Sequence, residues 1–255
     1  MDELLNLAGW LKEDEWPSPR CPECDHGLLN LDSLTAINSA ASDRYREDQN
    51  WEPDWIVGHF HGVLRCGRSS CGELVIISGE YRVDEDHNED GLWYGQYAEL
   101  YRLRYAIPAL PIVLMPTEIP DAVRDAVTAA SRILWTDPNS AGNRLRTAVE
   151  DLLTHHRVRR YVNTNGRRHR LSLHDRIHEF KRTRTTVGET LEAVKWIGNQ
   201  ASHNDKLSVQ DVLQGAQLFE YALGLLYDKS PEQHAKLVRK INKLRRLPKP
   251  RLAAY

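Results

Sequence analysis

The four cysteines of this 255-residue chain form two short pairs and occur nowhere else. The pairs are Cys21-Pro-Glu-Cys24 and Cys66-Gly-Arg-Ser-Ser-Cys71. A tight turn can aim two ligands with this spacing at one ion, and Zn²⁺ binds four thiolates tetrahedrally. The pattern therefore predicts one structural zinc ion bound by Cys21, Cys24, Cys66 and Cys71. The alternative is two disulfides or four ordinary thiols, but no signal peptide is expected, and disulfides are rare in cytosolic proteins.

The second cysteine pair lies between two strand-like runs, Trp55 to Leu64 and Glu73 to Val83. Gly67 and Gly72 are predicted to supply the unusual backbone angles of a knuckle. This layout is typical of a zinc ribbon. The 41 residues between Cys24 and Cys66 exceed what a minimal ribbon needs. Apolar residues from Leu31 to Tyr45 follow helical spacing, which predicts a helical insertion.

Three histidines, His26, His59 and His61, lie near the predicted knuckles, and histidine is a common zinc ligand. Because four cysteines already complete a tetrahedron, we expect the histidines to be bystanders. His59 and His61 alternate along a strand and are expected on one face. The replacement of a cysteine ligand by one of these histidines is left open by the sequence.

The composition, with 27% charged and 41% hydrophobic residues, is that of a soluble protein with room for two domains. No stretch approaches the roughly 20 apolar residues of a membrane span, so we expect a cytoplasmic protein without a membrane contact.

The two halves of the chain carry opposite net charges. Residues 1 to 116 carry 9 Lys and Arg against 21 Asp and Glu, a net charge of −12. Residues 117 to 255 carry 25 against 15, a net charge of +10, so the basic half is expected to meet a polyanion or the acidic half.

Repeated prolines between Ile107 and Pro120 predict a linker, since proline disfavours helix interiors and central strands. The boundary is expected near Pro116, between a zinc-ribbon-like domain over 1–116 and a helical bundle over 117–255. Helical periodicity and capping signals predict six helices in the second domain, beginning near Ile119, Pro138, Ser172, Val187, Ser208 and Ser230, the last of them basic. The fold class is predicted to be α+β and mostly α.

Four runs of the second half carry a resemblance to a known family. They are Asn139-Ser-Ala-Gly-Asn-Arg-Leu-Arg-Thr-Ala-Val-Glu-Asp-Leu-Leu153, Leu173-His-Asp-Arg-Ile177, Trp196-Ile-Gly-Asn-Gln-Ala-Ser-His203 and Phe219-Glu-Tyr-Ala-Leu-Gly-Leu-Leu-Tyr227. Residues 117 to 228 resemble the domain-of-unknown-function family 4145, which belongs to the HEPN group. The resemblance implies a helical bundle that forms a homodimer. It also implies a place in a prokaryotic defence, restriction or stress system, where many relatives are metal-independent ribonucleases.

The most diagnostic match is Gly198, Asn199 and His203. The resemblance implies that His203, with Asn199, occupies the catalytic position on a helix facing its dimer mate. Active relatives have an arginine before the histidine, with four to six residues between the two, and this arginine is missing here. The candidate cations are Lys195, an arginine of the neighbouring basic loop, and Arg144 or Arg146. In the alternative interpretation His203 bonds backbone carbonyls or a partner side chain and performs no chemistry.

The stretch from His155 to Arg184 holds ten Arg or Lys, five His and two acidic residues. A basic cluster of this density is typical of a nucleic-acid interface. The residues predicted to contact RNA or DNA are Arg157, Arg159, Arg160, Arg167, Arg168 and Arg170. In the alternative interpretation the cluster neutralises the acidic half of the same chain or of a dimer mate.

Three functions from different classes follow. The preferred one is a dimeric, zinc-containing module that binds nucleic acid or a partner protein of a defence system and carries a degenerate ribonuclease motif. The second is a ribonuclease that uses His203 across the dimer interface. The third is a protein-interaction scaffold in which the two oppositely charged halves bind each other.

Overall fold

The computed structural model describes residues 2–87, 93–164, 166–200 and 206–228, together with 235, 236, 238, 239 and 241–243. An N-terminal antiparallel sheet is followed by helices, with 44% helix and 26% strand. Helix exceeds strand, so the predicted class, α+β and mostly α, is confirmed. None of the described helices combines the length and the apolar composition needed to cross a bilayer.

Four strands form the sheet in the order in which they occur in the chain, and each pairs antiparallel with the next. They are β1 (Leu29–Asn38), β2 (Val57–Cys66), β3 (Leu74–His87) and β4 (Trp93–Ile107). The strand runs predicted on either side of the second cysteine pair are confirmed as β2 and β3. The turn between them carries that pair, so the sheet hydrogen bonds hold both of its ends.

Side chains of β2 alternate between the two faces of the sheet. Phe60, Leu64 and Cys66 are buried, whereas His59 and His61 are exposed. Phe60 packs edge-on against Trp16 and Tyr101. The predicted common face of the two histidines is confirmed, and it is the face opposite to Cys66.

The helix predicted over Leu31 to Tyr45 is wrong for most of its length. The chain continues as β1 to Asn38, and only α2 (Ala40–Tyr45) is helical, with Ser39 as its N-cap. The register of β1 against β2 shifts between Leu31 and Ser33. This bulge leaves Leu31 and Leu34 both turned inward although they are three residues apart, which imitates helical spacing.

The second half contains five described helices of the bundle. They are α3 (Asp121–Ile133), α4 (Pro138–His155), α5 (Leu173–Lys181), α6 (Thr185–Gln200) and α7 (Val209–Tyr227). Capping boxes at Ser172 and Ser208 begin α5 and α7, because each serine accepts from the backbone N–H three residues later and Asp175 or Asp211 accepts in return. The predicted starts of these helices are confirmed. Of the predicted sixth helix, the described residues from 235 to 243 are helical.

The basic loop between α4 and α5 contains a hairpin that the sequence reasoning missed. Strands β5 (Tyr161–Thr164) and β6 (Arg167–Arg170) pair antiparallel, with Tyr161 opposite Arg170. Gly166 lies in the turn with a φ of 72°, a conformation that glycine adopts readily. Two short strands of polar residues give almost no hydrophobic signal, so only the turn could be recognised in advance.

The proline-rich segment after β4 packs between the sheet and the bundle. Leu110, Ile112 and Val113 are buried in a hydrophobic core that continues from the strands into the helices. The Leu114 N–H donates to Glu220 of α7 over 2.6 Å. The predicted boundary at Pro116 therefore falls in a segment that contacts both halves. Near the other end of the chain, α1 (Asp2–Asn6) also packs against α7.

Candidate metal centre and basic surface

The two cysteine pairs, distant in sequence, meet at one end of the sheet. Cys21 Sγ lies 3.8 Å from Cys71 Sγ, and Cys24 Sγ lies 3.8 Å from Cys66 Sγ. All four sulfurs lie within 4.8 Å of one another, and none of the four cysteines forms a disulfide. The predicted meeting of these four residues is confirmed.

The sulfur positions fit a tetrahedral metal ion. A zinc–thiolate bond of about 2.3 Å places the four sulfurs of a regular tetrahedron about 3.8 Å apart. Two of the sulfur pairs have this separation, each formed between the two knuckles. Four soft sulfur donors around one point suit a thiophilic ion and leave no position for a reacting water.

The first knuckle is a turn closed by backbone hydrogen bonds. The Cys21 N–H donates to the Gly27 carbonyl over 2.9 Å, and the Gly27 N–H donates to Cys24 Sγ over 3.3 Å. Asp25 takes a φ of 54° at the tip. Backbone N–H groups of His26 and Gly27 lower the pKa of the Cys24 thiol to about 6, because they stabilise the thiolate.

Gly27 has no room for a side chain. A Cβ at this position would collide with Cys66 Sγ and would also lie 3.2 Å from Cys24 Sγ. Cys21 is fully buried, and this burial raises the pKa of its thiol to about 12. A cation bound among the sulfurs would supply the positive charge that a Cys21 thiolate needs.

The second knuckle is the turn between β2 and β3. The Cys66 N–H donates to the Glu73 carbonyl and the Cys71 N–H to the Arg68 carbonyl, both over 2.9 Å. Gly72 has a φ of 66°, as predicted for a knuckle glycine. Gly67 was wrongly predicted to need an unusual angle, since its φ is not positive. A Cβ on Gly67 would instead approach the Asn30 amide nitrogen to 3.0 Å, so close packing explains this glycine.

Histidine is absent from the metal-binding group among the residues that the structure describes. His59 and His61 project from the sheet face that Cys66 does not share. His26 is exposed on the first knuckle. The histidines are therefore bystanders in this geometry, and the exchange of ligands that the sequence left open has no support.

The arginines predicted to contact nucleic acid lie in and just before the hairpin β5–β6. All six side chains are exposed: Arg157, Arg159, Arg160, Arg167, Arg168 and Arg170. Antiparallel pairing places Tyr161 opposite Arg170 and Asn163 opposite Arg168, so these four residues share one face of the hairpin. The Arg168 guanidinium lies 3.8 Å from the centre of the Tyr161 ring. We call the whole exposed surface formed by the hairpin and these six arginines the basic hairpin face.

Two of the six arginines have carboxylate partners. Arg159 pairs with Glu179 of α5 at 2.9 Å, and Arg170 pairs with Glu150 of α4 at 3.3 Å. Both carboxylates belong to the bundle itself. Within the described ranges, none of the six arginines forms an ion pair with residues 1 to 116.

Two buried cations were not identified as buried from the sequence. Lys195 is 3% exposed, and its ammonium lies 3.1 Å from His174 Nδ1 and 3.9 Å from a Glu192 carboxylate oxygen. Arg176 is 4% exposed and donates to the α4 backbone. Helical periodicity alone does not show whether a Lys or Arg side chain is buried, because both residues are common in the middle of helices on buried and on exposed faces. The burial of Lys195 argues against its predicted availability to a phosphate.

The structure does not describe the side chains of the proposed catalytic pair. His203 lies outside the described residues, and Asn199 lies in α6 without a described side chain. Of the other candidate cations, Arg144 is exposed on α4, and Arg146 lies 3.8 Å from Glu150 in an i, i+4 ion pair.

Two families match parts of this chain, and each is described as a domain of unknown function. DUF8608 matches residues 10–106, which include the four cysteines, and DUF4145 matches residues 128–246. No curated protein and no solved structure matches the chain. The DUF4145 resemblance seen in the sequence is confirmed, over a range that begins and ends later than predicted. The chain is thus similar to DUF8608 in its sheet half and to DUF4145 in its bundle.

Proposed function

We propose that this protein is a metal-stabilised module that binds nucleic acid through the basic hairpin face. The observation that carries the proposal is the exposure of this face. Residues 167 to 170 of β6 are all exposed, and the hairpin leaves only Val162 half-buried among its described residues. A segment with so little packing adds little to the core, so its arginines are available to an external partner.

Electrostatics favours a polyanion as that partner. Residues 155 to 174 contain six arginines and four histidines but no Asp or Glu. Glu150 and Glu179 offset only part of this charge. Arginine forms charge-assisted hydrogen bonds with phosphate oxygens, and an aromatic ring can stack on a base. Tyr161 beside Arg168 offers both kinds of contact.

The scaffold alternative receives less support. If the acidic half neutralised the arginines within the chain, carboxylates of residues 1 to 116 would pair with them. Within the part of the chain that the structure describes, the ion pairs of this cluster instead use Glu150 and Glu179. Fluorescence anisotropy with single-stranded RNA and DNA at several salt concentrations tests the proposal. Affinity that falls steeply with salt is the expected result.

We further propose that the metal is Zn²⁺ and that its role is structural. Four thiolates in a tetrahedron can also bind iron. Zn²⁺ has no redox chemistry, and a closed site of four thiolates is typical of structural zinc. The thiols must be reduced to bind it, which suits the cytoplasm. Elemental analysis of protein purified without chelator is expected to give one zinc per chain.

A homodimer through the bundle is the third element of the proposal, and it rests on the HEPN-like resemblance. An exposed aromatic residue on α6 supports it, because Trp196 is 58% exposed beside the ammonium of Lys195, which lies 3.9 Å from the ring centre. Large aromatic residues are enriched at protein interfaces. A place in a prokaryotic defence system rests on the same resemblance alone.

Trp196→Ala is therefore expected to weaken the dimer about tenfold or more, since an interface tryptophan commonly contributes this much. Light scattering over a concentration series measures the effect. Trp55→Ala is the matched control, because Trp55 is also exposed (39%) but lies in the sheet half. A wild-type monomer at micromolar concentration, or equal effects of both substitutions, would count against the interface.

The protein is expected not to cleave single-stranded RNA in EDTA. Metal-free cleavage needs a cation beside the phosphate, and Lys195 is instead buried against His174 and Glu192. The measurement is product analysis of labelled RNA with wild type and His203→Ala. EDTA-resistant cleavage by the wild type that disappears in His203→Ala, leaving cyclic phosphate ends, would establish a nuclease instead.

A further inference from the structure

A cavity of about 470 Å³ lies where α4, β6 and the beginning of α5 meet. Four of its nine lining residues are arginines: Arg146, Arg160, Arg170 and Arg176. The remaining residues are Asn143, Glu150, Leu171, Ser172 and Leu173, so Glu150 is the single carboxylate in the lining. Its wall therefore has an excess of positive charge.

Glu150 cannot balance these arginines alone. Its carboxylate lies 3.8 Å from Arg146 and 3.3 Å from Arg170. The guanidinium of Arg160 has no hydrogen-bonded or ion-paired side chain within the part of the chain that the structure describes. The Glu150 carboxylate thus faces more than one guanidinium group, and the donors of Arg160 are left for an anion.

Arg176 makes this a rigid site. Its side chain is buried, and it donates to the Glu150 carbonyl over 3.1 Å and to Thr154 Oγ1 over 2.9 Å. Its Nε has no hydrogen-bond partner among the described residues, although the atom is buried. An unpaired buried donor is costly, so the fold tolerates this cost to hold the Arg176 side chain in the cavity wall.

The environment of Arg176 points the same way. Burial lowers the pKa of its guanidinium, and the nearby charges of Arg160 and Arg170 lower it further, against the opposing effects of Glu150 and Asp151. The N-terminus of α5 adds positive potential on the same side, partly offset by Asp175 of its capping box. A negatively charged occupant would relieve this repulsion.

We infer that this cavity binds a phosphate group of the nucleic acid that the basic hairpin face contacts. The inference rests on the proposed function, because Arg170 belongs to both the cavity wall and the hairpin. Among the described residues of the lining none is aromatic, so they offer guanidinium donors to a phosphate but no surface on which a base could stack. The cavity would bind one backbone phosphate, and the arginines of the hairpin would contact the neighbouring phosphates of the same strand.

The test uses the full chain and inorganic phosphate as the probe, followed by ³¹P line broadening. The variants are Arg146→Gln and Arg160→Gln, and either is expected to weaken phosphate binding about tenfold. Arg176→Gln is avoided because it removes contacts that hold α4. Arg132→Gln is the matched control, since Arg132 is exposed on α3 outside the cavity and should leave binding unchanged.

Competition distinguishes the two sources of phosphate. At constant ionic strength, inorganic phosphate is expected to displace a fluorescent single-stranded RNA from the wild type but much less effectively from Arg146→Gln. No phosphate binding, or equal binding by the wild type, Arg146→Gln and Arg160→Gln, would overturn the cavity while salt-sensitive RNA binding could still support the proposed function. Phosphate binding that Arg146→Gln weakens, in a protein without RNA affinity, would support the cavity as a site for free phosphate and overturn the proposed function.

Discussion

Cys66→Ser is expected to abolish zinc binding and to unfold the sheet half of the protein. Cys66 ends β2 and is buried, and its sulfur lies 3.8 Å from Cys24 Sγ. Serine cannot supply the thiolate, and binding a structural metal provides much of the folding free energy of small metal modules. Three thiols instead of four would then remain at the site, and we expect the β2–β3 turn to open.

Elemental analysis and hydrogen exchange measure this effect. Amides of β2 and β3 are expected to lose protection by several orders of magnitude, whereas α3 and α4, which pack against each other, keep most of theirs. The matched control is His26→Ala, which changes an exposed residue of the same knuckle outside the sulfur cluster. One zinc per chain in Cys66→Ser, or loss of zinc in His26→Ala, would disprove the assigned ligand set.

The double variant Arg167→Ala/Arg168→Ala is expected to lose most of the nucleic-acid affinity. Both side chains are exposed on β6, and neither contributes to the core. Each phosphate contact contributes about 0.7 to the slope of log K against log salt for a single strand, so two lost contacts should reduce the slope by about 1.4. Anisotropy titrations between about 50 and 200 mM salt give this slope directly.

The control must remove the same charge elsewhere. Arg44→Ala/Arg132→Ala does so at exposed positions on α2 and α3, far from the hairpin in sequence. This variant is expected to bind almost as the wild type does. Equal losses in the two double variants would mean that net charge alone governs binding, and the basic hairpin face would then have no special role.

Local signals were sufficient wherever neighbouring residues carry the information. The spacing of Cys21 and Cys24 predicted a turn with two ligands, and Ser172 and Ser208 predicted helix starts, because a cap involves residues only three apart. The alternation of His59 and His61 predicted their common face for the same reason. In each case the interaction is complete within one turn or one strand.

Local signals gave wrong or incomplete predictions where contacts between residues far apart in sequence decide the structure. Leu31 and Leu34 have helical spacing, but both pair with residues of β2 in a strand. The bulge between Leu31 and Ser33 shifts the alternation of side chains between the two sheet faces. The burial of Lys195 against His174 of α5, and of Arg176 against the end of α4, depends on how three helices pack. Helical periodicity contains no information about which neighbour a polar side chain meets.

By itself, the sequence predicted two knuckles from the cysteine spacings, most helix boundaries and the division of charge between the halves, since each depends on composition or on residues close along the chain. Only the tertiary structure decided that the proline-rich segment packs into a continuous core, that a basic hairpin leaves the bundle, and that four arginines surround one cavity. The physical reason is that burial and charge balance are set by residues far apart in sequence. Arg146 and Arg176, on different helices, share a wall only because α4 and α5 pack together.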